Sequence, residues 1–264
     1  MTAIIGFDAD QDCSRVAALL KERGGGFIAR YLKNLSLAEA GAILHAGLEI
    51  LLIFETTAER ALDGAGAGAA DGAKARNMAA ALGAPQGVAI VATVDFDATE
   101  AQEPTVLTYL RGFKAGLAGQ AKLMVYANGA ICAAALDGRV ADYTWLAGGS
   151  GMRGTQAFKA SGRATIIQDV GDKRGLDLGI SIDSDVAYTE DFGGWSLTPA
   201  ASVASPPPAA STIAIPAARD LQAALVAEGR DLGNSGPNGD GVDDDWGPLS
   251  QAALAAHYGA RSSA

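Results

Sequence analysis

Histidine is almost missing from this chain: of 264 residues, only His45 and His257 carry an imidazole. That scarcity excludes H-E-x-x-H and multi-histidine zinc sites. A Ser-His-Asp triad would need one of the two, and neither ends a strand-like run. His45 falls in an expected helix over Leu37–Ala46 and His257 in the last helix, so both are read as structural or solvated. Cysteine is as scarce. Cys13 and Cys132 form no C-x-x-C pair and read as two core thiols instead of a disulfide. Basic residues are also short, 20 against 30 acidic, for a net charge of −10. That balance argues against nucleic acid, whose phosphates require a basic surface, and against anionic membranes. No apolar run approaches the ~20 residues that span a bilayer. The N-terminus has neither a basic n-region nor an apolar h-region, so no secretory signal is expected. Carboxylates are the acid–base chemistry that remains.

Their placement is patterned. Four apolar runs each end on an acid: Ile4-Ile5-Gly6-Phe7-Asp8, Ile50-Leu51-Leu52-Ile53-Phe54-Glu55, Val91-Ala92-Thr93-Val94-Asp95-Phe96-Asp97 and Ile180-Ser181-Ile182-Asp183. Short apolar runs between turn signals are the pattern of strands buried on both faces. If they are parallel, all these acids lie at one end of one sheet. Strand and helix alternate regularly: Ile4–Asp8 then Ser14–Arg23, Phe27–Leu32 then Leu37–Ala46, and Glu49–Glu55 then Asp71–Leu82. Val88–Asp97 then precedes Pro104–Leu117, and Lys122–Ala127 precedes Ala130–Leu136. Tyr143–Ala147, Thr165–Asp169 and Ile180–Asp183 follow as strands with short links. Eight such units predict an α/β fold, a (β/α)8 TIM-barrel-like domain with shortened last helices, over residues 1–195. A doubly wound open sheet is the alternative. Residues 196–216, rich in Pro, Ala and Ser, read as a semi-rigid linker. Residues 217–264 read as a small all-α C-terminal module, with helices over Ala217–Gly229 and Pro248–Tyr258.

Asp95-Phe96-Asp97 is the strongest constellation. Positions i and i+2 of a strand share a face, so both carboxylates are expected at the barrel mouth. Neighbouring carboxylates split their pKa values, one a proton donor and the other ionised, which is the division of labour glycoside hydrolysis requires. Glu55 beside Phe54 is a second candidate acid, since apolar surroundings hold a carboxyl protonated. Tyr31, Tyr126, Trp145 and Gln168 fall at or near strand ends, where rings and amides suit a sugar. Gly64-Ala65-Gly66-Ala67-Gly68 lacks G-K-[ST] and does not directly follow a strand, so it is read as a flexible loop at the mouth and not a phosphate loop. Asn238–Asp245 resembles half a calcium loop, but its twelfth position is Leu249, so a helix-capping turn is expected.

These residues also resemble a known family. Gly6-Phe7-Asp8, Ala29-Arg30-Tyr31-Leu32, Asp71-Gly72-Ala73 with Ala81-Leu82-Gly83-Ala84-Pro85, and Val94-Asp95-Phe96-Asp97 are similar to the Rv2525c-like, glycoside-hydrolase-like domains. Tyr109-Leu110-Arg111-Gly112-Phe113, Val125-Tyr126, Tyr143–Ala147, Ile167-Gln168 and Ile182-Asp183 continue the likeness in order, across roughly residues 3–195. That family is similar in turn to the family 25 lysozymes, which carry Asp-x-Glu at the fourth strand with the Glu as general acid. Here the pair is Asp95-x-Asp97, one methylene shorter. In the tail, Asp220–Leu225, Asp240-Gly241-Val242-Asp243 and Asp245–Leu254 resemble a helical peptidoglycan-binding domain. Together the resemblances imply a muramidase that cleaves peptidoglycan glycan strands, in the layout of a phage endolysin made in the host cytoplasm and released by a holin. In that reading Glu55 or Asp97 protonates the leaving oxygen and Asp95 stabilises the cationic centre. Asp8 and Asp183 hold sugar hydroxyls, a monomer is expected, and no metal or cofactor is required. The alternative is a non-catalytic wall-glycan-binding protein with a vestigial site.

Overall fold

The computed structural model describes residues 3–169, 178–197, 218–227, 229–235, 237–243 and 250. The chain divides into two compact units, Met1–Pro199 and Ala200–Ala264. In the first, eight strands close a barrel in sequence order: β1 (Ile4–Ala9), β2 (Gly25–Tyr31), β3 (Glu49–Phe54), β4 (Ala89–Thr93), β5 (Lys122–Ala127), β6 (Tyr143–Leu146), β7 (Ile166–Asp169) and β8 (Asp183–Ala187). Helices α1 (Ala17–Glu22), α2 (Leu37–His45), α3 (Gly64–Ala81), α4 (Glu103–Gly116), α5 (Gly129–Asp137) and the short α6 (Thr155–Ala160) lie on the crossovers. The expected (β/α)8 architecture is what forms, and its last helices are indeed reduced.

One strand breaks the expected parallel order. β1 to β7 run parallel, but β8 is antiparallel to both β7 and β1. The run Ile180–Ile182 is not strand. Pairing starts at Asp183, which faces Asp8 across the ladder. Asp183 therefore reaches the same rim as the other acids by beginning its strand there, where they end theirs.

Two apolar layers fill the molecule, as strand alternation requires. Inside the barrel, Phe27, Leu51, Val91, Met124, Ile166 and Ala187 pack together, and Phe192 closes the lower end against Phe27 at a ring separation of 4.8 Å. Outward-facing Phe7, Ile28, Leu52, Ile90 and Leu123 meet the helices. Cys13 and Cys132 are buried free thiols of the outer layer. His45 lies near the end of α2 with its ring Nδ1 2.7 Å from the Gly41 carbonyl; His257 lies outside the described residues.

The glycine-rich segment is not a loop at the mouth. Gly64 to Gly68 form the first turns of the 18-residue helix α3. Packing against α4 overrides the helix-weakening effect of glycine. A Cβ on Gly68 would stand 2.0 Å from the Tyr109 carbonyl oxygen, and one on Gly72 2.1 Å from that of Phe113. Gly112 and Gly116 on α4 come as close to α3 in return. The contact is backbone on backbone. A 3-10 turn, Arg60–Asp63, leads into α3 and is pinned from below: Arg60 Nε and Nη2 donate to Asp71 at 2.7 and 3.1 Å, and the Tyr109 hydroxyl donates to the same carboxylate at 3.0 Å.

In the second unit, α7 (Ala218–Ala227) falls where the helical spacing put it. Leu225, Leu232 and Val242 are buried. Gln222 donates to the Asp243 carboxylate at 2.8 Å, and Ser235 donates to its other oxygen at 2.6 Å. Asp243, part of the calcium-like stretch, is thus occupied by protein donors. The linker beyond residue 197 and the expected helix over 248–258, apart from residue 250, lie outside the described residues.

Gly72→Ala is expected to lower stability by about 1–3 kcal/mol through overpacking at the α3–α4 contact. Gly66→Ala, whose Cβ would meet nothing within 4 Å, is expected to raise it by up to ~1 kcal/mol. Paired urea melts check the contrast, and equal shifts would contradict the backbone contact.

Candidate active site

Along most strands the inward-facing residues change from apolar to polar toward one end of the barrel. On β5 the order is Met124 then Tyr126, on β7 Ile166 then Gln168, and on β3 Leu51 and Ile53, with Glu55 just past the strand. β4 gives Ala89, Val91 and Thr93, with Asp95 beyond, and β8 reads the same order backwards: Asp183, Asp185, Ala187. The polar ends enclose a cavity of about 230 Å³, on the scale of one sugar ring. Its lining includes Asp8, Tyr31, Glu55, Thr93, Asp95, Tyr126, Trp145, Gln168 and Asp183. Eight of the nine residues singled out from the sequence meet here.

Asp97 is the exception. β4 ends at Thr93, so Asp95 and Asp97 are not on a strand and do not share its face. One Asp97 oxygen accepts from Asn128 Nδ2 at 2.8 Å and from the Arg153 backbone N–H at 2.8 Å. Asn128 is itself fixed: its Oδ1 caps α5 by accepting from the Ile131 N–H at 3.0 Å, the usual role of Asn at an N-cap. Arg153 Nε adds a bond to the Ala98 carbonyl at 2.9 Å. Asp97 ties the loop after β4 to the loop after β6 and does not line the cavity.

Asp185 was missed by the reading from sequence, although its spacing from Asp183 puts the two on one face. It is wholly buried and accepts from Trp145 Nε1 at 3.0 Å. Its second oxygen meets no donor among the described residues when both acids are ionised, but the side chain lies within hydrogen-bond reach of the Asp8 carboxyl. Burial, and then the neighbouring Asp8 charge, push its pKa well up. Burial, and then Asp183, raise Asp8 to about 6. Two adjacent carboxyls in one low-dielectric pocket are best satisfied with a proton between them.

Gln168 organises the neighbourhood. Its Oε1 accepts from the Tyr126 hydroxyl at 3.0 Å and the Gly148 N–H at 3.3 Å. That fixes the amide so that Nε2 donates to Asp8 at 3.3 Å and to Asp183 at 3.5 Å. Tyr126 meets Trp145 edge-on at 5.2 Å, so the wall of the cavity is a rigid aromatic corner. Across the mouth, Glu55 is half-buried. Desolvation and then Asp95 raise its pKa, while Lys33 and the Thr93 hydroxyl oppose the shift. The Tyr31 and Tyr126 hydroxyls are pushed up by burial and by the surrounding acids, so both stay protonated donors. Among the described residues no group of three or more His, Cys, Asp or Glu side chains is arranged to hold a metal ion.

Residues 20–187 match the Rv2525c-like, glycoside hydrolase-like domain. The chain belongs to that family. The Rv2525c-like barrel superposes on the Tat-secreted Rv2525c of Mycobacterium tuberculosis, crystallised with HEPES, with 21% identity and a TM-score of 0.59, covering 74% of this chain and 98% of that one. The crystal form with L-tartrate gives the same values. An uncharacterized B. stearothermophilus protein matches at 21% identity and TM-score 0.54, over 70% of this chain and 95% of the other. The Clostridium perfringens spore cortex lytic enzyme SleM follows at 15% identity and TM-score 0.47, over 70% and 67%. The likenesses to Rv2525c and to the B. stearothermophilus protein establish the fold. No curated protein sequence matches the chain. No helix among the described residues is long and apolar enough to cross a membrane.

The shared carboxyl proton has a consequence for stability. Asp8 with a native pKa near 6, against 3.8 unperturbed, keeps a proton that the unfolded chain releases. The unfolded state then binds fewer protons, so stability falls as pH rises from about 4 through about 6. Asp185→Asn retains the acceptor for Trp145 and removes the second charge. It is expected to flatten that fall by about 1–3 kcal/mol between pH 4.5 and 8. Urea melts across that range read it out, and an unchanged slope would count against the shared proton.

Proposed function

We propose that this barrel is a glycoside hydrolase of the bacterial wall, an N-acetylmuramidase that cleaves the β-1,4 bond between N-acetylmuramic acid and N-acetylglucosamine. The observation that carries the reading is the pairing of Glu55 with Asp95 at the mouth of an aromatic-walled cavity. Glu55 is shielded and held toward its protonated form, and Asp95 is exposed beside it. Family membership supports the glycosidase chemistry, and the wall as target rests on the resemblance of both units.

In this mechanism Glu55 gives its proton to the glycosidic oxygen as the C–O bond breaks. The bonding electrons leave with that oxygen, and positive charge develops at the anomeric carbon and ring oxygen. The Asp95 carboxylate stabilises that charge or orients the substrate's own acetamido group. Water then adds to the anomeric carbon and returns a proton to Glu55. Asp8, Asp183 and Gln168 accept and donate to sugar hydroxyls, while Tyr31, Tyr126 and Trp145 give the ring its apolar contacts. Asp97 has a positioning role in this scheme, since it holds the loop that carries Asp95.

A second reading draws on the same latch. The acid of an Asp-x-Glu pair has no counterpart at Asp97, whose carboxylate is engaged elsewhere, and that favours a glycan-binding barrel without turnover. The second unit, as a peptidoglycan-binding module, would raise the local concentration of the barrel on the wall through tethering. Action on the wall after release from a host cytoplasm is part of the endolysin form of the proposal.

Glu55→Gln is expected to reduce release of muramic-acid reducing ends from peptidoglycan by about a thousandfold or more with the fold intact, and Asp97→Asn by about tenfold or less. No release by the wild-type chain at any pH would favour the binding reading, and full activity in Glu55→Gln would remove it as the acid. Removing residues 200–264 is expected to weaken binding to intact wall by about tenfold or more while sparing turnover of soluble glycan. Equal wall binding by the truncated barrel would refute the module's role.

A further inference from the structure

A second cavity, of about 270 Å³, adjoins the first and shares Ile53 and Glu55 with it. Phe54 and Met78 extend its apolar floor, and Lys33 and Lys74 stand at its edge. The contrast in charge is sharp. The first cavity is lined by four carboxyls (Asp8, Glu55, Asp95 and Asp183) and no cationic side chain, whereas the second sets two ammonium groups against Glu55 alone. Neither Lys33 nor Lys74 belongs to the ion pairs formed by Arg30, Arg60, Lys114, Arg153 and Arg163.

Lys33 sits at the junction of the two cavities. Its Nζ lies 5.1 Å from the centre of the Tyr31 ring, which itself lines the first cavity. Lys74 approaches from α3, the helix whose backbone is locked against α4. Exposed lysines often only lay their stems along apolar surface. Here both lysines line a cavity together with Ile53, Phe54 and Met78, and Glu55 is shared with the first cavity. A free inorganic anion would use the charges and leave the floor unused. A flexible chain with methyl and methylene groups and terminal carboxylates would use both.

We infer that this lobe is an anion subsite for the free carboxylates of a peptide substituent carried by the sugar bound next to Glu55. The inference rests on the wall-glycan reading and sharpens its substrate to acidic, peptide-bearing glycan. Uncharged chitin-like chains would leave the lobe empty.

The test uses the full chain and one disaccharide, N-acetylglucosaminyl-N-acetylmuramyl dipeptide, with its carboxylates free or amidated; it contains no bond of the type cleaved. By calorimetry at low salt the free acid is expected to bind about three- to tenfold more tightly than the amide, a preference that fades as salt is raised. The Lys33→Gln/Lys74→Gln pair should lose the preference with affinity for the amide unchanged, and the Lys33→Arg/Lys74→Arg pair should keep it. Equal binding of the two ligands by the wild type, or a preference that survives the glutamine pair, overturns the subsite and leaves the glycan reading standing. Failure of both ligands to bind the wild type removes the glycan reading and the subsite with it.

Discussion

The barrel closes through β8, which runs against its neighbours on both sides. β8 pairs with β7 on one side and β1 on the other, and so joins the first strand to the last of the parallel set. Strand reversal preserves the alternation of inward and outward residues but inverts their order along the axis. Asp183 and Asp185 therefore sit high in the barrel and Ala187 low, in step with the polar-to-apolar gradient of most of the other strands. The cavity, its carboxylates and the Gln168 bridge all depend on that inversion.

Gathering acids at one rim has a cost that the surrounding bonds offset only in part. Gln168 spreads one amide over Asp8 and Asp183, Trp145 serves one oxygen of Asp185, and burial leaves the Asp8–Asp185 pair holding a proton it would lose in water. One buried charge pair in the barrel is met in full. Arg30 and Glu39 form an ion pair about 1% exposed on each side, with the Cys13 N–H and the Ala9 carbonyl completing the set. The Asp8–Asp185 pair, by contrast, lacks a full set of donors. Such sites are where perturbed proton affinities do chemical work.

The alternation of strand and helix, the barrel and most of the cavity lining were legible in the sequence because periodicity reports which way a side chain faces. Tyr31, Tyr126, Trp145 and Gln168 needed only correct strand assignments to be placed. What stayed hidden depended on contacts between distant segments. Nothing local marks β8 as reversed, so Asp185 was passed over although it repeats the Asp183 spacing. Gly64–Gly68 read as a loop because propensity is local, whereas the reason for Gly68 lies far along the chain, at Tyr109 in the backbone of α4. The i, i+2 spacing puts Asp97 on a strand face, but the strand ends at Thr93, and its partners Asn128 and Arg153 carry no signal at that distance.

The Asp97 latch bears on how freely this site could be redesigned. Lengthening Asp97 to glutamate looks like the smallest step toward an Asp-x-Glu catalyst. The carboxylate there, however, already joins two loops through a single oxygen shared by a side-chain amide and a backbone N–H. An added methylene would displace that oxygen from both donors before it presented anything to the cavity. The donors would then seek water, and the segment carrying Asp95 would lose its tether. An engineer would need to rebuild the Asn128–Arg153 anchor first. Chemical similarity between two residues is thus a poor guide to the distance between two working sites.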